Sequence, residues 1–348
     1  MPKSLSTSNL ESVAHRILAA EPDPSVVLWI QEEVLQAPLH HPGTRAARRD
    51  LLLTANVRKL EACHSPGHGW GRFHSADSKS AQLIPTTEHG VRRAIALRLL
   101  PSWPVLSDVA THCEALLNGK DPFPDPPERN DRWETAWRLF VASTLSLIRP
   151  RSKLVQRAST TWRTILEAAF DAGKYDAEAE SDAHRRLTGA TVRGSYLQLD
   201  NRYAVELLAA NAHEIPNRLC AAYVTWLSHR PGGLRYLGAP PLNPARLGKP
   251  NAFDRWLSTW GLLSRYPGWE EWADPAMRWL WSQRVSERGW DFGARPTPSY
   301  TMPLSDGWAA RRNARTTDWS TWALVLLARY CRCENRDRND RSYRLRSP

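Results

Sequence analysis

Three places in the chain bring together residue types that can move a proton. The first is Asp131-Arg132-Trp133-Glu134-Thr135-Ala136-Trp137, where two carboxyls stand three residues apart. At that spacing they share one side of a first helical turn. A carboxyl pair held close can have one pKa raised and act as a general acid. The second is Glu88-His89, a carboxylate beside an imidazole, which suits an auxiliary acid–base pair. The third is Asp318, in Asp318-Trp319-Ser320-Thr321-Trp322. Each also has a plain structural reading, because an acid at a helix start caps free N–H groups and complements the helix dipole. Asp254 reads as a further cap of the same kind.

Tryptophans surround these acids. The chain has 17 of them, and Trp70, Trp133, Trp137, Trp256, Trp260, Trp290, Trp319 and Trp322 sit beside the acids or in the turns. Lining a hollow, they would bind an apolar substrate and stabilise a carbocation through their ring faces. Filling it, they would be core packing. Cys63, His64, His68 and His74 are dense in sequence but match no zinc spacing, so no metal and no cofactor is expected. Arg72, Arg92 and Arg93 form a group able to bind a diphosphate, set against the ordinary role of solvated helix arginines.

The elements that must position these residues repeat. Asp318-Trp319-Ser320-Thr321-Trp322 opens an apolar run, and Asp254-Arg255-Trp256-Leu257-Ser258-Thr259-Trp260 opens another of the same kind. Asp131-Arg132-Trp133 opens a third. Upstream lie turns built on Gly69-Trp70-Gly71, on Gly233 to Gly238 and on Gly289-Trp290-Asp291-Phe292-Gly293, each followed by a loop. One unit is thus a helix, a Gly-aromatic turn, a loop and a second, more apolar helix. Such repeats decide a fold. Gly233 and Gly289 are read as left-handed stops of the first helices. In order, helices are expected from Ser8, from Pro24, over Thr44–Cys63 as one long helix, and then in pairs to Arg332. Tyr196 to Leu199 is ambiguous between strand and helix.

This predicts an all-α protein, an α/α toroid of about six helical hairpins with inner and outer rings and the Asp–Trp starts at one mouth. The expected organisation is an N-terminal hairpin over 1–43, which could join the ring, a toroid domain over 44–332 and a charged, frayed tail over 333–348. A chain of 348 residues with 42% hydrophobic content can bury a large core. It has no apolar run long enough to span a membrane and no secretory signal, so a cytoplasmic protein is expected. The formal charge of +11 admits a nucleic-acid or protein partner on a basic surface.

The helix, Gly-Trp turn, loop and inner helix resemble the α/α-toroid superfamily of squalene-hopene-type terpene cyclases and protein prenyltransferase β subunits. Gly289-Trp290-Asp291-Phe292-Gly293 followed by Asp318-Trp319-Ser320-Thr321-Trp322 carries the resemblance best, and Gly69-Trp70-Gly71 next. The resemblance implies an isoprenoid or other apolar substrate in an aromatic-lined barrel and acid-initiated cyclisation. The cyclase acid is the middle Asp of Asp-X-Asp-Asp-Thr-Ala; Asp131-Arg132-Trp133-Glu134-Thr135-Ala136 has Trp133 there, leaving Asp131 and Glu134 as the acids. The prenyltransferase zinc motif needs a Cys where this chain has Ser320. Two other functions stay open on the residues alone. One is a non-catalytic scaffold binding protein or nucleic acid, marked by salt-sensitive binding. The other is a carbohydrate-active toroid enzyme with carboxyls facing across the barrel.

Overall fold

The computed structural model describes residues 5–344 apart from 39, 77–82, 193, 243–249, 286–288, 295–302 and 309. Among the described residues the chain is all-helical, with fourteen α-helices and two isolated β-bridges. In order these are α1 Thr7–Leu18, α2 Pro24–Trp29, α3 Pro42–Leu51, α4 Ala55–Ala62, α5 Thr87–Ala96, α6 Pro104–Leu117 and α7 Trp133–Ile148. They continue with α8 Lys153–Ala169, α9 Ala177–Thr188, α10 Arg202–Ala210, α11 Asn217–Ser228, α12 Pro250–Leu263, α13 Glu270–Ser282 and α14 Arg312–Arg344. No helix among the described residues is long and apolar enough to cross a membrane.

The chain divides into two compact units, Met1–Asn56 with Ala239–Ser264 and Trp269–Pro348, and Val57–Gly238 with Arg265–Gly268. In the first, the N-terminal helices α1 and α2 pack on α14. The helices α1 and α2 therefore share a unit with the C-terminal helices. In the second, α7 is central, packed by α5, α6, α8 and α10. Its sequence from Leu139 to Ile148 is buried almost without a break. A helix apolar all round needs such a wrapped position.

Local chemistry explains most boundaries. Asn201 caps α10 by accepting from Ala204 N at 2.9 Å, and Thr86 caps α5 by accepting from His89 N at 3.2 Å. Pro24 takes the first turn of α2, where its missing N–H costs nothing. The cap of α1 is Ser6 and not Ser8. The helix expected over Thr44–Cys63 is broken: Thr54 Oγ1 donates to Leu51 O at 2.8 Å, and Asp306 accepts from Ala55 N and Asn56 N to start α4. A cap lent from 250 residues away leaves no local trace. Tyr196 to Leu199 is a turn. Gly233 and Gly289 have φ of +68° and +132°, but they shape turns beyond the ends of α11 and α13 and do not terminate those helices.

The segment expected to fray from 333 is helical to Arg344. Residues 333–344 contain no Gly or Pro, and Glu334, Asp337 and Asp340 each precede an Arg by four residues, at 338, 341 and 344. That spacing and order support a helix.

The Gly-Trp turn is one local device used twice. Trp70 N donates to Thr87 Oγ1 at 3.0 Å and Trp70 Nε1 to Leu60 O at 2.9 Å. Trp290 N donates to Ser320 Oγ at 2.9 Å and Trp290 Nε1 to Leu280 O at 2.7 Å. In both, the indole bonds a carbonyl ten residues back, on the first helix of the pair. The glycine just before each Trp lies where a Cβ would overlap the Thr87 or Ser320 side chain.

Candidate active site

A buried polar cluster gathers in the Val57–Gly238 unit. Arg92, on α5, meets Glu206, on α10, at 2.6 Å and Glu88, one turn back on α5, at 3.4 Å. Ser143 of α7 donates to the same Glu206 oxygen at 2.9 Å. Tyr203, at the start of α10, donates to Glu88 Oε1 at 3.0 Å. His74, from the loop after the Gly69-Trp70 turn, puts Nδ1 3.1 Å from the Tyr203 hydroxyl and 3.3 Å from Glu88 Oε2.

The sequence folds this way because α5, α7 and α10 meet. Glu88 and Arg92 are one turn apart on a helix whose cap is Thr86, and Tyr203 and Glu206 are three apart on a helix capped by Asn201. Each pair thus faces one direction. Asp125 holds the loop: its carboxylate accepts from Phe73 N at 2.6 Å, His74 N at 2.9 Å and Ser75 N at 2.7 Å.

Electrostatics fix the protonation states. Burial pushes the Glu88 carboxyl up, but Arg92 and then the His74 hydrogen bond outweigh it and hold the group below its ordinary value. For Glu206 burial is likewise outweighed, here by Arg92, Arg202 and Arg265. Burial lowers the Arg92 pKa, but Glu206 and Glu88 more than reverse this and raise it. Burial and the Glu88 charge raise the Tyr203 phenol well above its usual range. Both carboxyls are therefore ionised and the phenol protonated at neutral pH. The phenol proton goes to Glu88, so Nδ1 of His74 carries the hydrogen that faces two acceptors. With Nδ1 so engaged, Nε2 is the ring nitrogen left outside the cluster.

Nε2 bonds none of the described residues, and 19% of the His74 side chain is open. Aromatic rings flank it: Phe140 stacks on His74 at 4.0 Å between centroids, and Tyr203 and Tyr236 meet it edge-on at 5.5 and 6.1 Å. Tyr236 has φ +69°. A bulky residue in the left-handed region stores backbone strain, of a kind that collects at functional sites.

The residues singled out by sequence are placed as follows. Glu88 is in the cluster, but its imidazole partner is His74. His89 is its chain neighbour, and adjacent helix residues point apart. Burial and then Arg93 lower the His89 pKa to about 4. Asp131 and Glu134 line a groove between α7 and α8 and are both solvent-exposed. Asp131 does not cap α7: it accepts from Thr191 N at 3.1 Å. Hydrogen bonds from Thr191 lower its pKa, the reverse of the raised value an acid catalyst needs. Glu134 accepts from Arg138 at 3.0 Å. Asp318 is buried inside α14 and clamps a loop, accepting from Leu304 N at 2.7 Å, Ser305 N at 3.1 Å and Ser305 Oγ at 2.6 Å. It is not a cap of its own helix, and Asp254 too lies within its helix, buried.

Trp70, Trp256, Trp260, Trp290 and Trp319 are 0–1% exposed, and each donates its indole N–H to a backbone carbonyl. They present no surface to a ligand and act as packing. Trp133 and Trp137 pack on Phe123, and Trp322 on Trp29. Arg92 is buried against two glutamates and does not form a diphosphate cradle with Arg72 and Arg93. His64 pairs with Asp108 at 3.0 Å, apart from the His74 contacts. Among the described residues no group of three His, Cys, Asp or Glu side chains could hold a metal ion.

Sequence reasoning missed Tyr203, Glu206, Phe140, Tyr236 and Asp125 as site residues. A signal existed for Asp125 in the rigid run Asp121-Pro122-Phe123-Pro124-Asp125-Pro126-Pro127. Comparison of the chain with protein-family models, with characterised proteins and with solved structures finds no match.

Proposed function

We propose that the Val57–Gly238 unit is an acid–base catalyst for a small, largely apolar molecule, with His74 as the base. The observation that carries this reading is the engagement of the His74 ring: Tyr203 and Glu88 occupy Nδ1, and Nε2 is left open among aromatic rings. A proton taken by Nε2 would leave an imidazolium facing the Glu88 carboxylate, which stabilises it. Arg92 would hold Glu88 ionised, and Glu206 would hold Arg92 in place.

An isoprenoid belongs to the proposed substrate class. In a carbocation reaction the base would serve the terminating proton abstraction, and Phe140, Tyr203 and Tyr236 would face the cation. Asp131 is poorly suited to the initiating protonation, because it is exposed and ionised. The proposal therefore moves the chemistry of a terpenoid-cyclase-like protein from Asp131 and Glu134 to His74. It retains as part of the reading the α/α ring of helical hairpins, which the duplicated Gly-Trp device supports.

The test is extraction and mass spectrometry of lipid co-purifying with the chain, followed by turnover of squalene and prenyl diphosphates. A retained prenyl compound, with turnover lost in His74→Gln at unchanged melting temperature, is expected. Turnover that survives His74→Gln removes His74 as base. Absence of both retention and turnover removes the isoprenoid class.

A further inference from the structure

The groove that receives Asp131 and Glu134 has a volume of about 450 Å³, within the range of small-molecule sites. It is lined by α7 residues at the spacing of one helix face and by a parallel stripe on α8, Leu154, Arg157, Ala158, Thr161 and Trp162. Four residues, 149–152, join α7 to α8, so the two run antiparallel. The start of α7 therefore lies toward the later turns of α8, and Arg157 stands about one helical turn, ~6 Å, back along the groove from Thr161.

This gives the groove an acidic end at Asp131 and Glu134 and a basic side at Arg157, with the apolar Leu154 about one turn beyond Arg157. Glu134 keeps one carboxylate oxygen outside its Arg138 bond. The Arg157 carbonyl accepts from Thr161 Oγ1 at 3.3 Å, and its guanidinium bonds none of the described residues. Leu154 and Leu187 supply apolar wall, and Leu187 is 41% exposed.

We propose that this groove binds a short zwitterionic peptide. Its ammonium meets Asp131 and Glu134, its apolar side chains lie on Leu154 and Leu187, and its carboxylate meets Arg157. The site is separate from His74 in its residues and does not depend on the acid–base reading.

The test is titration of the full chain with the dipeptide Leu-Leu, followed by NMR or calorimetry, beside the same dipeptide N-acetylated and C-amidated. Leu-Leu is expected to saturate. Removing either terminal charge should weaken binding about tenfold, the effect of one charge-assisted contact. Ala158→Trp fills the groove and should abolish binding. Arg157→Glu, a surface change that leaves folding intact, should favour the amidated over the free-acid peptide. His74→Gln should leave binding unchanged, which separates failure here from failure of the catalytic reading. Equal binding of the three peptides, no saturation, or saturation undisturbed by Ala158→Trp overturns the proposal.

Discussion

Arg92 and Glu206 meet at 2.6 Å across α5 and α10, each with less than a tenth of its side chain exposed. Burying two charges is costly, and their attraction roughly repays it only when both remain. Removing one partner is therefore much worse than removing both. Glu206→Gln should cost about 3–5 kcal/mol in urea unfolding. Arg92→Met with Glu206→Leu should cost well under the sum of the single changes. Additive losses in that cycle would show that the pair is not a coupled unit.

The glycines of the Gly-Trp device give a steric prediction. A Cβ at Gly289 would overlap Ser320, and one at Gly90 would overlap the ring of buried Trp70. Neither neighbour is the loose end of a flexible chain. Gly289→Ala and Gly90→Ala should each lower stability by about 2 kcal/mol or more. Gly261 lies inside α12 with nothing within 4 Å of the added atom. Gly261→Ala should be neutral or stabilise by up to about 1 kcal/mol. Thermal midpoints of the three variants, measured together, decide whether packing or backbone freedom keeps these glycines.

The sequence carried the local part of this architecture. The Gly-Trp dipeptides, the Asn201 cap and the Glu88 helix start are each written in a few adjacent residues, by rules that need no tertiary information. The site is different. Its imidazole, phenol and second carboxylate come from positions 74, 203 and 206, and only the packing of α5, α7 and α10 unites them with Glu88. Asp131 failed the raised-pKa expectation for the same reason, and Glu134 shares its exposed position. Their spacing is local, but their exposure is set by where α7 meets α8 and by Thr191 on a distant loop. The tryptophans were ambiguous because a large ring suits a core and a pocket equally well, and burial with a bonded N–H separates the two.

Glu180 gives the chain a pH dependence. It is buried on α9, accepts from Tyr175 OH at 2.5 Å and Leu199 N at 2.6 Å, and lies 3.8 Å from His184. Burial raises its pKa to about 7, against the lowering effect of those two bonds. An acid with a raised folded-state pKa favours folding when protonated. Its contribution is complete below about 4.5 and is lost as pH rises through about 7. The loss is on the order of 3 kcal/mol. His184, which burial lowers to about 4, acts oppositely and destabilises as pH falls from about 6.5 through about 4. The difference between wild type and Glu180→Gln isolates the acid. Glu180→Gln should gain stability relative to wild type between pH 5 and 8. A difference that stays flat over that range would place the Glu180 titration elsewhere.

Asp125 should matter to the site without touching any ligand. Its carboxylate receives three backbone N–H groups from Phe73, His74 and Ser75, and it is 5% exposed. Asp125→Ala strands those donors, at about 1–3 kcal/mol for each that finds no water. The loop that carries His74 then loses its anchor, while Glu88 and Tyr203 stay on their helices. Asp125→Asn keeps one acceptor oxygen and should fall between wild type and Ala. Stability alone does not separate anchoring from ordinary packing, so the deciding readout is the imidazole ¹⁵N spectrum. In the wild type it should show protonated Nδ1 and lone-pair Nε2. In Asp125→Ala the His74 signals should move toward a mixture of tautomers, with recovery in Asp125→Asn. An unchanged His74 spectrum in Asp125→Ala would mean that Glu88 and Tyr203 hold the ring unaided.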